Sequence, residues 1–246
     1  MEWICDDNKI AVLYQKWARF GWMVSEPTYQ GNVDLEELIA ETTLAARHDG
    51  RLMKWLLTWF KDFGDLVNKK RLLRFIKRAD TAVLGVAIEI AMNRGADKNF
   101  RTVLAKCKPQ KPAEVFQKGM DEVTIYTDAQ KKYGKKEYRK WGFYCTMIEF
   151  YTDALRGREW ILKNNRLLAL RAVFGVNIRS EIINALERNT KGIAIQGLSK
   201  QTGYAYSGVY REVESLEING LIKEDTGKGR ILRLSDKMLN LVRIAA

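Results

Sequence analysis

The fold of the C-terminal third is decided by four consecutive stretches: NIRSEIINALER (residues 177–188), IAIQGLSKQTGY (193–204), YSGVYREVESLE (206–217) and NGLIKEDTGKGRILRL (219–234). In the first stretch, apolar residues recur at the spacing of one helical face: Ile178, Ile182, Ile183 and Leu186. Asn177 or Ser180 can accept hydrogen bonds from the first backbone N–H groups of a helix. The stretch therefore predicts a helix that starts near residue 178.

The next two stretches predict a pair of helices joined by a tight turn. Residues 196–202 provide one or two helical turns, and Gly203 suits the position after a helix, where φ is positive. Over residues 206–217, Val209, Val213 and Leu216 recur at i, i+4 and i+7, which predicts a helix with one buried face. The residues left facing outward are Tyr206, Ser207, Tyr210, Arg211 and Glu214.

The fourth stretch predicts a hairpin. Asn219-Gly220 ends the preceding helix, and two short strand-like runs, 221–225 and 230–234, flank a glycine-rich tip at 226–229. Together with a short apolar run at 193–195, the predicted order is helix, short strand, helix, turn, helix and hairpin.

This order and its residues resemble the winged helix-turn-helix regulators of the ArsR and MarR type. The likeness covers about residues 178–236, under a third of the chain. The residues that carry it are Leu198-Ser199, Thr202-Gly203, Val209, Val213, Leu216, Asn219-Gly220-Leu221-Ile222 and Gly227-Lys228-Gly229-Arg230. The resemblance implies that helix 206–217 enters the major groove of DNA while the hairpin crosses the backbone.

The resemblance also assigns candidate DNA contacts. Arg211 can form two hydrogen bonds with guanine, and Ser207 and Tyr210 can donate to bases or phosphates. The full candidate set is Ser199, Lys200, Tyr204, Tyr206, Ser207, Tyr210, Arg211, Lys228 and Arg230. The recognition helix also carries three acidic residues, Glu212, Glu214 and Glu217. The alternative to DNA binding is a winged helix that binds a protein.

The net charge of +12 is concentrated in the middle of the chain. Residues 101–177 carry a net charge of +8, against +1 for residues 1–100 and +3 for residues 178–246. The densest run, KKYGKKEYRK (residues 131–140), suggests an auxiliary nucleic-acid surface or, alternatively, a solvated helix face. Its basic residues are Lys131, Lys132, Lys135, Lys136, Arg139 and Lys140.

Helical patterns dominate the rest of the chain, which has only three prolines. Helices are predicted at residues 35–47, with Asp34 as N-cap, at 51–63 and at 68–79, and a long helical pattern is traced from Lys136 to about Val173 with a break at Gly157. Trp55, Trp59, Phe60 and Phe63 lie at helical spacing, which favours a core stripe over a ligand cage. We expect a mainly α protein with a helical N-terminal domain (residues 1–107), a basic bridging region (108–177) and a C-terminal winged helix-turn-helix (178–246).

Several function classes are not expected from the inventory of residues. One histidine, His48, and three scattered cysteines give no metal-site spacing, and no phosphate-binding loop or nucleophile elbow is present. We therefore expect no metal, no cofactor and no enzymatic activity. No apolar run approaches the length of a membrane span, the N-terminus shows no signal peptide, and the cysteines suggest no disulfide framework, so a cytoplasmic location is expected.

A weaker likeness lies upstream, in residues 36–66, which look like the helical part of uncharacterised prokaryotic winged-helix proteins. Its residues are Leu38-Ile39-Ala40, Thr43 to Arg47, Arg51-Leu52 and Trp59 to Val67. Some proteins of that kind accompany nucleotidyltransferase-type toxins, which makes an antitoxin or autorepressor a special case of the regulator interpretation. We expect a transcriptional regulator that binds double-stranded DNA as a homodimer, the alternative being an adaptor or antitoxin that docks a partner protein.

Overall fold

The computed structural model describes residues 7–24, 29–118, 123–146, 149–225 and 230–244. The chain divides into two compact units, residues 1–156 and residues 157–246. Helices predominate in both, so the expectation of a mainly helical protein is confirmed. The units group the predicted middle region differently: residues 108–156 belong to the first unit and residues 157–177 to the second.

The first unit contains eight α-helices within the described residues: α1 (Asp7–Ala18), α2 (Leu35–Ala45), α3 (Gly50–Phe63), α4 (Lys69–Phe75), α5 (Thr81–Asn93), α6 (Arg101–Leu104), α7 (Thr124–Tyr133) and α8 (Lys136–Lys140). Short 3₁₀ helices lie at Gly64–Leu66, Ile76–Arg78 and Lys98–Phe100. Two short strands, β1 (Glu114–Val115) and β2 (Phe143–Tyr144), pair in parallel.

Four of the helices in the first unit, α2 to α5, begin at a side-chain cap. The Asp34 side chain accepts hydrogen bonds from the backbone N–H groups of Glu36 and Glu37, as predicted, and Asp80 caps α5 in the same way. Such caps satisfy donors that would otherwise lack a partner and stabilise a helix by about 1 kcal/mol.

The core of the first unit lies around α3 and α5. The aromatic stripe of α3 is buried, which confirms the core interpretation, and Trp17 and Phe20 pack against Trp59. Helix α5 is buried along almost its whole length because both of its faces are covered by neighbouring helices. A helix that is apolar all round is stable only in such a position.

The long helical pattern from Lys136 to Val173 is wrong over residues 141–146 and 149–157, and residues 147–148 lie outside the described part of the chain. Helix α8 ends at Lys140, and Gly142 adopts a φ of +84°. A Cβ atom at Gly142 would lie 2.1 Å from the carbonyl oxygen of Gln110, so the backbones approach closely here and only glycine fits. Tyr144, which the pattern predicts on a helical stripe, lies instead in β2 and pairs with Val115 of β1.

The second unit contains the predicted order of elements. Its members are α9 (Arg158–Asn164), α10 (Arg166–Phe174), α11 (Ile178–Arg188), β3 (Ile193–Ala194), α12 (Ile195–Thr202), α13 (Tyr206–Ile218), β4 (Ile222–Asp225), β5 (Ile231–Leu234) and α14 (Asp236–Ile244). The strands form an antiparallel sheet in the order β3-β5-β4.

Local signals fix the geometry of the second unit. Asn177 and Ser180 form a reciprocal capping box at the start of α11, and Gly203 ends α12 with a left-handed φ of +72°. Val209, Val213 and Leu216 of α13 are buried in one core with the inner faces of α11, α12 and the sheet. Their burial turns the opposite face of α13 outward.

Two further structural features bear on function. Among the described helices, none is long and apolar enough to cross a lipid bilayer. Within the same residues, no group of three His, Cys, Asp or Glu side chains is placed to hold a metal ion.

Candidate nucleic-acid interface

The outward face of α13 is a continuous stripe of exposed or half-exposed side chains. Ser207, Arg211, Glu214 and Ile218 occur at i, i+4, i+7 and i+11, which places them on one line along the helix. Ile218, at the end of the stripe, is 86% exposed. A helix with this exposed row and a buried opposite face can present side chains to a groove.

Two tyrosines lie at the N-terminal end of α13. The rings of Tyr206 and Tyr210 are 6.2 Å apart, and Tyr206 is 49% exposed, whereas Tyr210 is half-buried against the core. Tyr206 therefore presents a ring and a hydroxyl group to solvent, while part of the Tyr210 side chain serves packing.

The turn before α13 is stabilised by Ser199, one of the residues predicted to contact DNA. The Ser199 hydroxyl donates to the backbone carbonyl of Tyr204 at 2.8 Å, so in this structure it braces the α12–α13 turn. Tyr204 is half-buried against the core, whereas Lys200 is exposed on α12. Of these three candidates, Lys200 is the side chain most available to a phosphate.

Arg211 is the exposed cation of the stripe. Its Nε lies 3.4 Å from the Ser207 carbonyl oxygen, a long contact within the helix, and it forms no ion pair with the described residues. The terminal nitrogens of its guanidinium are thus available for the two parallel hydrogen bonds that guanine accepts.

Arg230, which directly precedes β5 at the tip end of the hairpin, is used differently. Its guanidinium pairs with Glu217 and Glu224 and lies 5.5 Å from the centroid of the Tyr210 ring. Burial lowers the pKa of Arg230, but a hydrogen bond with Tyr210 and the two carboxylates raise it overall, so the side chain stays charged. Arg230 therefore fixes the hairpin to α13, and Lys228 lies outside the described residues.

The acidic residues of α13 fall into two groups. Glu212 pairs with Arg179 of α11 at 2.6 Å, and Glu217 pairs with Arg230. Glu214 has no ion pair within the part of the chain that the structure describes. Only Glu214 therefore presents an uncompensated negative charge on the outward stripe, and the sequence alone gives no sign of the Arg179 contact.

In the first unit, the basic run 131–140 divides into internal and outward members. Arg139 donates from Nη2 to the backbone carbonyls of Lys131, at 2.7 Å, and Lys132, at 3.2 Å, and so caps the end of α7. Lys140 pairs with Glu89 of α5. Lys131, Lys132, Lys135 and Lys136 are exposed and form no ion pair with described residues; we call these four the lysine surface.

The lysine surface is attached firmly to the core of the first unit. The neighbouring Trp141 donates from Nε1 to Glu89 and packs its ring on α5 at Gly85, where a Cβ atom would lie 2.2 Å from the ring. The backbone N–H of Lys135 donates to the carbonyl of Cys145 at 2.7 Å. These contacts hold α7 and α8 in a defined arrangement.

Two further groups of the first unit, Cys107 and His48, have shifted pKa values. Burial raises the pKa of the Cys107 thiol to about 12, which leaves it protonated and weakly nucleophilic at neutral pH. Burial, together with the charges of Lys118 and Arg47, lowers the pKa of His48.

Comparisons with protein-family models, with curated proteins and with solved structures return no match for this chain. The assignment of a function therefore depends on the geometry and charge of the two surfaces.

Proposed function

We propose that this protein is a DNA-binding transcriptional regulator whose second unit acts as a winged helix, with α13 as the recognition helix. The observation that carries the proposal is the outward stripe of α13, on which the guanidinium of Arg211 is exposed and two of three neighbouring carboxylates are paired elsewhere. A helix of this width fits the major groove, and an exposed arginine is the commonest reader of guanine there.

The connection between α12 and α13 also supports the proposal. The left-handed Gly203 and the Ser199 hydrogen bond define a short turn, and α13 follows with its first residues exposed. In helix-turn-helix proteins it is the N-terminal part of the second helix that contacts base edges. Tyr206, Ser207 and Arg211 occupy that part of α13.

A single recognition helix reads few base pairs, so we propose that the protein acts as a homodimer in the cytoplasm. Two half-sites about 34–36 Å apart, one turn of the duplex, would then match the two copies. We propose no enzymatic step for either unit.

The proposal is tested by selecting duplexes from a random pool and measuring affinity by fluorescence anisotropy. Replacing Tyr206 and Arg211 together with alanine should lower affinity for the selected duplex about fivefold or more, because one bidentate arginine contact contributes about 1–3 kcal/mol of discrimination. Tyr210 is kept because it packs against the core and Arg230. Lys163→Ala, at an exposed position of α9, is the control for the lost charge.

A protein-binding adaptor or antitoxin is the second candidate function. Ile218, 86% exposed at the end of the α13 stripe, favours it, because apolar side chains gain more from a protein surface than from a phosphate backbone. The two functions differ in salt dependence. A log–log slope of DNA affinity against salt near zero, with no sequence selected, would reject the DNA proposal and favour the adaptor.

A further inference from the structure

The lysine surface differs from most charged surface segments in having no carboxylate partners of its own. Lys131, Lys132, Lys135 and Lys136 lie within six consecutive positions, all four are exposed, and none forms an ion pair with a described residue. Two acids are near in sequence, the exposed Asp128 of α7 and the half-exposed Glu137, and neither forms an ion pair with a described residue. Four positive charges are thus left for a partner.

These four ammonium groups stand on a rigid base. Arg139 closes the end of α7, Lys140 is tied to Glu89, and Trp141 is packed on Gly85 of α5. Arg139 and Lys140, the two basic residues of the run with partners in the first unit, hold its backbone in place. Binding a partner would therefore require little ordering of the backbone, which reduces the entropic cost of association.

We propose that the lysine surface is a second nucleic-acid site, which contacts the phosphate backbone of duplex DNA without reading its sequence. The choice of duplex DNA as the partner rests on the proposed function, but the site itself belongs to the first unit and shares no residue with α13. The protein would then have one unit that reads bases and one that supplies general affinity.

The chemistry of the side chains favours phosphates over bases. A lysine ammonium is a compact, hydrated point charge, whereas base readout and the recognition of planar carboxylates favour the fork of arginine. The only arginine of the run, Arg139, donates to backbone carbonyls of α7. Four phosphate contacts would release about four counterions, and affinity would fall steeply with salt.

The experiment compares four forms of the full chain: the unaltered protein, K131Q/K132Q/K135Q/K136Q, the Tyr206→Ala/Arg211→Ala variant, and a protein with both sets of changes. The probe is a short fluorescent duplex of random sequence, titrated at salt concentrations from about 50 to about 200 mM. Circular dichroism verifies that each variant retains its helical content.

A matched control removes the same charge elsewhere in the first unit. Lys70, Lys77, Lys98 and Lys106 are also exposed and form no ion pair with described residues, so K70Q/K77Q/K98Q/K106Q gives the same net charge at different positions. It separates a local surface from an effect of overall charge.

We expect the lysine-surface variant to lose at least tenfold in affinity for random duplex and about 3.5 units of log–log salt slope, with the control variant close to the unaltered protein. The loss should be the same in the Tyr206→Ala/Arg211→Ala background. Equal losses in the lysine-surface and control variants, or a protein that prefers single-stranded DNA, would overturn the proposal.

The two proposals fail in different ways. If the recognition helix is assigned wrongly, the α13 variant binds selected DNA normally while the lysine-surface variant still loses random-duplex affinity. If the lysine surface is assigned wrongly, its variant retains affinity and slope for random duplex whatever the state of α13.

Discussion

The two units carry the same net charge and use it differently. Residues 1–156 have 27 Lys and Arg against 21 Asp and Glu, and residues 157–246 have 15 against nine, so each unit has a net charge of +6. Around α13, Arg179 and Arg230 are paired with carboxylates of the helix itself. On the lysine surface, four neighbouring cations have no such partner among the described residues.

The difference shows that net charge does not measure the charge available to a ligand. Pairing around α13 neutralises Arg179 and Arg230 locally, fixes the hairpin to the helix and leaves Arg211 to read a base. The unpaired lysines keep their field, which steers a polyanion but carries no sequence information. A unit for recognition and a unit for general attraction can therefore have equal net charge.

The largest effect is expected where the pairing in the second unit is fully buried. Arg171 of α10 donates to Glu181 of α11 at 2.6 Å, with side-chain exposures of 0% and 5%. Arg171→Ala leaves a buried carboxylate without its partner and should lower the free energy of unfolding of the second unit by about 3–5 kcal/mol. Urea denaturation followed by hydrogen exchange of α10 and α11 amides measures this loss.

The control for Arg171 is a more exposed pair in the same unit. Arg166 pairs with Glu187 at 2.9 Å, with side-chain exposures of 26% and 30%. Arg166→Ala should cost no more than about 1 kcal/mol, because solvent screens the pair. Similar losses at the two positions would contradict the distinction drawn between buried and exposed pairing.

A smaller effect is expected from the one unpaired acid on the α13 stripe. Glu214→Gln removes a negative charge that faces the proposed DNA surface, and should raise affinity for random duplex about threefold, in line with the few tenths to about 1 kcal/mol of an exposed charge contact. Anisotropy titration measures the change. Glu159→Gln, on exposed α9, is the matched control, and an unchanged or lower affinity for Glu214→Gln would place this stripe away from the phosphates.

Much of the second unit is predictable from sequence because its signals are local. Three of these signals depend only on neighbours within one or two helical turns: the Asn177 cap, the left-handed Gly203 and the helical spacing of the buried residues in α13. The structure bears out that order of helices and strands, whereas its use as a winged helix stays a prediction. The contacts of the candidate site residues also depend on distant partners, as with Arg230 and Glu217, which no spacing reveals.

The first unit is less predictable for the same reason. The helical pattern predicted beyond Lys140 is interrupted at Gly142, whose backbone closely approaches that of Gln110, a contact between residues 32 positions apart. Glu89, about 50 positions away in sequence, pairs with Lys140 of the basic run. The sequence alone therefore does not show which basic residues of the run are paired and which form the lysine surface. Composition shows how much charge is present, and only the fold shows which of it is paired.

The smallest expected effect is a pH dependence of stability that is present in the first unit and absent from the second. His48, the only histidine, belongs to the first unit, and burial with the charges of Lys118 and Arg47 lowers its pKa from 6.5. As pH falls below about 6.5, His48 binds a proton more readily in the unfolded chain than in the folded unit. The free energy of unfolding of the first unit is therefore lower at low pH than at neutral pH. The lowered pKa values of Asp97 and Glu114 act only at lower pH, where unfolded carboxyl groups titrate.

Tryptophan fluorescence can follow this loss, because six of the seven tryptophans belong to the first unit. The urea midpoint of that unit should fall between about pH 7.5 and about pH 5.5, and the fall should be absent in His48→Gln. The second unit contains no histidine, so hydrogen exchange of α11 and α13 amides, corrected for intrinsic rates, should give the same stability at both pH values. A midpoint in the first unit that falls equally in His48→Gln would assign the pH dependence to other groups.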